Sequence, residues 1–131
     1  MKLNVEFVGK MKFKVKTRDH EFITDLPEKL GGDNEAPTPS HFFISSLASC
    51  VGVFIVKYLN TAKLNPEGLS IEIDAEKTGD HSWFNIININ IRIPNAELGK
   101  RKKALLRVAE KCVIHQTLVN SPGIKINIEG E

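Results

Sequence analysis

The run TPSHFFISSLASCVGVFIVKYLN, residues 38–60, constrains this chain more than any other stretch. It holds no acidic residue, and its first formal charge is Lys57. Its apolar and small residues fall on every face of a helix rather than along one stripe, the pattern of a helix buried all round. Thr38 is a good N-cap, and Pro39 then occupies the first turn, where a missing N–H costs nothing. The uncharged part, residues 41–56, is shorter than the ~20 apolar residues a membrane span needs, and it carries Ser45, Ser46, Ser49 and Gly52. The expectation is a buried central helix, with no membrane as partner.

Strand patterns flank it. Leu3, Val5 and Phe7 alternate with polar residues, Gly9-Lys10 reads as a Gly-first hairpin connection, and Met11, Phe13 and Val15 alternate with lysines. A turn over residues 17–20 leads to a short strand over residues 21–24. Residues 25–37 form a loop punctuated by Pro27, Gly31-Gly32 and Pro37, with the glycine pair read as a flexible turn. Downstream, Leu69, Ile71, Ile73 and Ala75 share one phase of a strand. Trp83, Ile87, Ile89, Ile91 and Ile93 share one phase of the next.

Asn95 is a plausible N-cap for a second helix. In it Leu105, Val108, Cys112 and Val119 share a face, with a break near His115. Ile124, Ile126 and Ile128 suggest a last strand. The order strand-strand-strand, helix, strand-strand, helix, strand is an α+β arrangement of mostly antiparallel sheet in a single domain, residues 1–131. One sheet covers only one side of a helix. The remaining faces of the central helix therefore call for a second protomer, and a dimer is expected.

The chain has 131 residues, 18 Lys and Arg against 16 Asp and Glu, and two cysteines. The basic residues between Lys100 and Lys111 have the spacing of a solvated helix side and no accompanying binding motif, so no nucleic-acid partner is expected. Met1-Lys2 leads straight into strand residues without a signal peptide, which suggests a cytoplasmic protein. A thiol pair in that compartment is inert core or redox chemistry. Cys-x-x-Cys spacing and close histidines are both missing, so no metal is assigned. The sequence carries no phosphate-binding glycine loop, and no cofactor is assigned either.

Cys50 lies three turns past the start of its helix, beyond the reach of that helix's macrodipole. A reactive thiolate there needs a cation from elsewhere, and Arg18 is the only arginine in the first half of the chain. Inert thiols remain the alternative.

GGDNEAPTPSHFFISSLASC followed far downstream by AEKCVIHQTL resembles the OsmC/Ohr family of osmotically inducible and organic-hydroperoxide-resistance proteins, in its OsmC-like branch. The resemblance runs over nearly the whole chain. It implies an intertwined homodimer with sheets wrapped around central helices. It further implies a thiol-dependent peroxidase that reduces small organic hydroperoxides in oxidative-stress defence. In that reading Cys50 is the peroxidatic thiolate, Cys112 the resolving thiol and Arg18 the arginine that stabilises the thiolate. Phe42, Phe43 and Phe54 would favour an organic substrate, and a cellular dithiol would be the reductant. One position departs from the family pattern: Ser40 stands where characterised members carry a glutamate, with Glu35 and His41 the nearest candidates to replace it. That departure motivates the alternative of a non-enzymatic dimer that binds a small apolar ligand or senses oxidants.

Overall fold

The computed structural model describes residues 1–130. The chain divides into two compact units, with the division inside the central helix after Ser45. The first unit holds strands β1 (Asn4–Gly9), β2 (Lys12–Lys16) and β3 (Glu21–Thr24) in an antiparallel sheet of order β1-β2-β3. Val5 lies opposite Val15 and Phe7 opposite Phe13, with the two rings edge to face at 5.8 Å. The hairpin turn is Lys10-Met11, one residue later than the sequence suggests. Gly9 pairs with Lys12 across a register shift, and Lys10 takes the left-handed φ of 49°. The irregular step moves the turn forward and leaves Gly9 in the strand.

The loop of residues 25–37 is built around Asp25. Its carboxylate is completely buried and accepts backbone hydrogen bonds from Leu26 (2.8 Å), Asp33 (3.2 Å) and Glu35 (3.1 Å). A Cβ on Gly32 would stand 2.0 Å from the Leu26 carbonyl oxygen and 2.7 Å from Asp25 Oδ1. Gly32 is thus a packing requirement of this loop rather than a flexible turn. Lys12 ties the loop to β2 through Asp33 (2.6 Å) and Glu35 (2.8 Å), and Lys10 also pairs with Asp33.

Helix α1 (Pro39–Thr61) has 23 residues and covers the run of residues 38–60 almost end to end. Thr38 caps it: His41 N–H donates to Thr38 Oγ1 at 3.3 Å while Thr38 N–H donates to His41 Nδ1 at 3.1 Å, a reciprocal capping pair. By length and composition alone α1 is long and apolar enough to cross a membrane. In the second unit one of its stripes, Leu47, Val51, Ile55 and Leu59, instead forms the core. Its partners are the half-buried isoleucines of an antiparallel pair, β4 (Ser70–Glu76) and β5 (Ile86–Arg92), with Ile71 opposite Ile91 and Ile73 opposite Ile89. Gly52 lets the helix approach: a Cβ there would lie 3.0 Å from Ile71 Cδ1. Burying each large aliphatic in this stripe contributes about 1.5–3 kcal/mol. Burial all round is not reached within one chain, because Phe43 and Val53 remain exposed.

Trp83 stands outside β5 and packs at a tilt against His81 (centroids 4.3 Å apart, planes at 54°) in the exposed connection between β4 and β5. Asn95 does not cap a helix; its side chain donates to the Glu67 carbonyl at 2.9 Å. The helical segment starts later, with a 3-10 turn (Gly99–Arg101) running into α2 (Lys102–Ala109), and α3 (Val113–Asn120) follows. The break falls before Cys112, not near His115, so Cys112 lies between helices, and Val119 is exposed. Ile124, Ile126 and Ile128 form no strand; they are 81%, 82% and 91% exposed. An alternating segment becomes a strand only when another edge supplies its hydrogen-bond partners.

Candidate active site

Cys50 sits one row off the buried stripe of α1. It heads the spacing Cys50, Phe54, Tyr58, all half-buried against the core. Cys112 is fully buried, at 0% exposure. It is the N-cap of α3, and its sulfur accepts from His115 N–H at 3.4 Å. The chain therefore folds the start of α3 onto the middle of α1. Both thiols are free, and Cys50 packs against the core cluster that contains Cys112.

Their acidities split. Burial opposes ionisation of Cys50, yet a hydrogen bond from the Cys112 thiol and backbone N–H bonds from Ile114 and Val113 outweigh it. The Cys50 thiol is held below the ordinary value. Burial and the bond to Cys50 push Cys112 the other way, against backbone N–H bonds from His115 and Ile114. Of the two, Cys50 is shifted toward the thiolate and Cys112 toward the thiol. The macrodipole of its own helix does not reach Cys50, but the first-turn amides of α3 do.

The other predicted site residues lie in the first unit, apart from Phe54, whose ring takes the Lys57 ammonium at 5.6 Å. Arg18 occupies the exposed turn between β2 and β3, beside a depression of about 820 Å³ shared with Met1, Lys16 and His20. Phe42 packs on Phe22 with centroids 4.7 Å apart, and Phe43 is exposed. Ser40 is exposed in the first turn of α1. Glu35 is ion-paired with Lys12, and His41 Nδ1 serves the helix cap, so both candidate replacements for the family glutamate already hold partners.

The sequence reading missed the amides of Val113 and Ile114. No Ser, Thr, Asn or Asp marks a helix start in Glu110-Lys111-Cys112-Val113, so the helix read straight through. Asp25 was missed too. Its one signal was an acidic residue shortly before a glycine pair.

An α+β chain of antiparallel sheets, with two unlike thiols joined at a helix start, defines a dithiol protein. The model of the OsmC-like protein family matches residues 32–129, and the chain belongs to that family. Solved structures share the fold. A Psychrobacter arcticus protein named for osmotic stress induction and detoxification response has a TM-score of 0.78 at 22% identity, over 88% of this chain and 85% of that one. An OsmC-like hydroperoxide resistance protein from Jannaschia has a TM-score of 0.60 at 25% identity, over 98% and 91%. The organic hydroperoxide resistance protein OsmC of Legionella pneumophila has a TM-score of 0.65 at 18% identity, over 90% and 89%. No curated protein matches the chain.

Proposed function

We propose that this protein is a cytoplasmic peroxidase that reduces small organic hydroperoxides with the Cys50–Cys112 pair. The observation that carries the reading is the split between the two thiols: an acidified, half-buried Cys50 packed against the cluster of a fully buried Cys112 whose acidity is lowered. The Cys50 thiolate attacks the terminal peroxide oxygen. The O–O bond breaks, the alcohol leaves after taking up a proton, and Cys50 becomes a sulfenic acid. Cys112 sulfur then attacks Cys50 sulfur. The S–S bond forms, the S–O bond breaks, and the hydroxide leaves as water with the Cys112 proton. A cellular dithiol reduces the disulfide by exchange. Arg18 as thiolate partner and Phe42, Phe43 and Phe54 as substrate contacts belong to this reading through the family resemblance.

The working form in this reading is a homodimer. Of the most apolar part of α1 only 22% is buried within one chain, and Val5, Phe7 and Phe13 leave an apolar sheet face uncovered. A second copy covers such faces at low cost. The alternative, a ligand-binding dimer, has its own support. An apolar groove of about 320 Å³ lies between Ile55, Ile91, Ile93, Leu98 and Leu105, with Lys102 among its lining residues.

The test is the thiol titre of reduced protein before and after one equivalent of cumene hydroperoxide, run beside Cys50→Ser and Cys112→Ser. Loss of both thiols in the parent, with a trapped sulfenic acid in Cys112→Ser, is the expected result. Two unreacted thiols would overturn the peroxidase and turn attention to the groove.

A further inference from the structure

The carbonyl of Glu110, at the C-cap of α2, is one of the groups a helix end leaves without an intrahelical partner. Two side chains from the first turns of α3 converge on it. Gln116 Nε2 donates at 2.6 Å, and His115 Nδ1 lies at 3.1 Å. Because a carbonyl only accepts, Nδ1 carries the proton in this contact. The main chain of the same two residues holds the other side of the corner: His115 N–H bonds Cys112 Sγ at 3.4 Å, and Gln116 N–H bonds the Cys112 carbonyl at 2.9 Å. The bend at Lys111 and Cys112 is thus tied to α2 on one side and α3 on the other. Asn120 braces Gln116 by donating to its carbonyl (2.7 Å) and its side-chain oxygen (3.3 Å).

We propose that His115 and Gln116 are positioning residues: their shared hold on the Glu110 carbonyl locks the α2–α3 corner and aims the first turn of α3 at Cys50. This deepens the reading above, since it concerns the same thiol pair. An eight-residue helix has little orientation of its own. Releasing its corner lets Val113 and Ile114 N–H drift from the Cys50 sulfur, while the core residues Leu105 and Ile55 stay packed. The contacts are on the solvent side, so their loss weakens alignment more than folding.

The experiment compares the full-length parent with His115→Ala/Gln116→Ala. A second variant, His115→Asn/Gln116→Ala, keeps one side-chain N–H near the place of Nδ1. Thr117→Ala serves as control; its hydroxyl bonds Val113 O at 2.7 Å within α3. The readout is the pH dependence of Cys50 alkylation, with the labelled residue identified by mass spectrometry. Expected is a Cys50 pKa higher by about one unit in the double variant, a tenfold change in ionisation equilibrium. His115→Asn/Gln116→Ala should recover part of it, and Thr117→Ala should match the parent. An unchanged pKa in the double variant overturns the clamp. Should the double variant not fold, Gln116→Ala and His115→Asn as single changes decide by the same comparison. Hydroperoxide consumption by the parent is scored separately, so a clamp that works in a protein without peroxidase activity is recognised as such.

Discussion

Cys50 packs against the core cluster of Cys112, and the two thiols shift in opposite directions: Cys50 becomes the stronger acid and Cys112 the weaker. A pair of equal thiols would leave the order of attack open. Here the half-buried partner is the more acidic and the buried partner the less, which fits attack by Cys50 and resolution by Cys112.

Native alkylation should follow that order. Iodoacetamide should label Cys50 first, with a pH midpoint below that of an ordinary thiol, while Cys112 stays unlabelled until the protein unfolds. Peptide mapping of the labelled protein between pH 5 and pH 10 would check this. Equal labelling of both cysteines would contradict the assigned roles.

Cys112→Ala should raise the Cys50 pKa, because the side-chain donor is gone. It should also cost about 1 kcal/mol for the lost N-cap of α3. Cys112→Ser keeps a donor and supplies a good cap, so its Cys50 pKa should lie nearer the parent's and its stability should match or exceed it. Urea unfolding together with thiolate absorbance distinguishes the two variants.

Gly32→Ala should destabilise the loop before α1 by about 3 kcal/mol, since the new methyl meets the Leu26 carbonyl and the Asp25 carboxylate. Gly123→Ala, with nothing within 4 Å, should change stability by less than about 0.5 kcal/mol. Thermal melts of both variants against the parent measure the contrast.

Acid should loosen the same loop. Burial works against the Asp25 charge, but N–H bonds from Glu35, Leu26 and Asp33 and the nearby Lys12 bring its pKa below the usual carboxylate value. Asp33 is lowered as well, first by its bonds to Lys10 and Lys12. For a depressed pKa the stabilisation is complete above the unfolded carboxylate value and is lost as pH falls through the folded one. Melting temperature should therefore hold steady down to about pH 4 and then fall. Asp25→Asn should lower it already at neutral pH, on the order of 5 °C, because its amide group meets backbone donors.

Val53→Lys and Phe7→Lys test the second protomer. On a truly solvated surface each would change stability by under about 0.5 kcal/mol. If a partner chain covers them, sedimentation should show the dimer weakened or the fold lost. Leu59→Ala, at a fully buried position, should cost about 3 kcal/mol whatever the assembly state.

Much of this molecule was legible in its residues. The period-two strands, the cap at Thr38, the central helix and the buried character of Cys112 follow from patterns within a few positions of each other. Local pattern misled where a partner distant in sequence decides. Asn95 has the right side chain for a cap, but the Glu67 carbonyl claims it. Ile124, Ile126 and Ile128 alternate like a strand, yet among the described residues no edge pairs with them.

What the sequence determined by itself was the family and the two thiols, since both reside in residue identity and spacing. Only the tertiary structure decided which amides acidify Cys50. They belong to Val113 and Ile114, more than sixty positions away, and they reach it because a helix start must find acceptors for its free N–H groups and a half-buried sulfur was the one at hand.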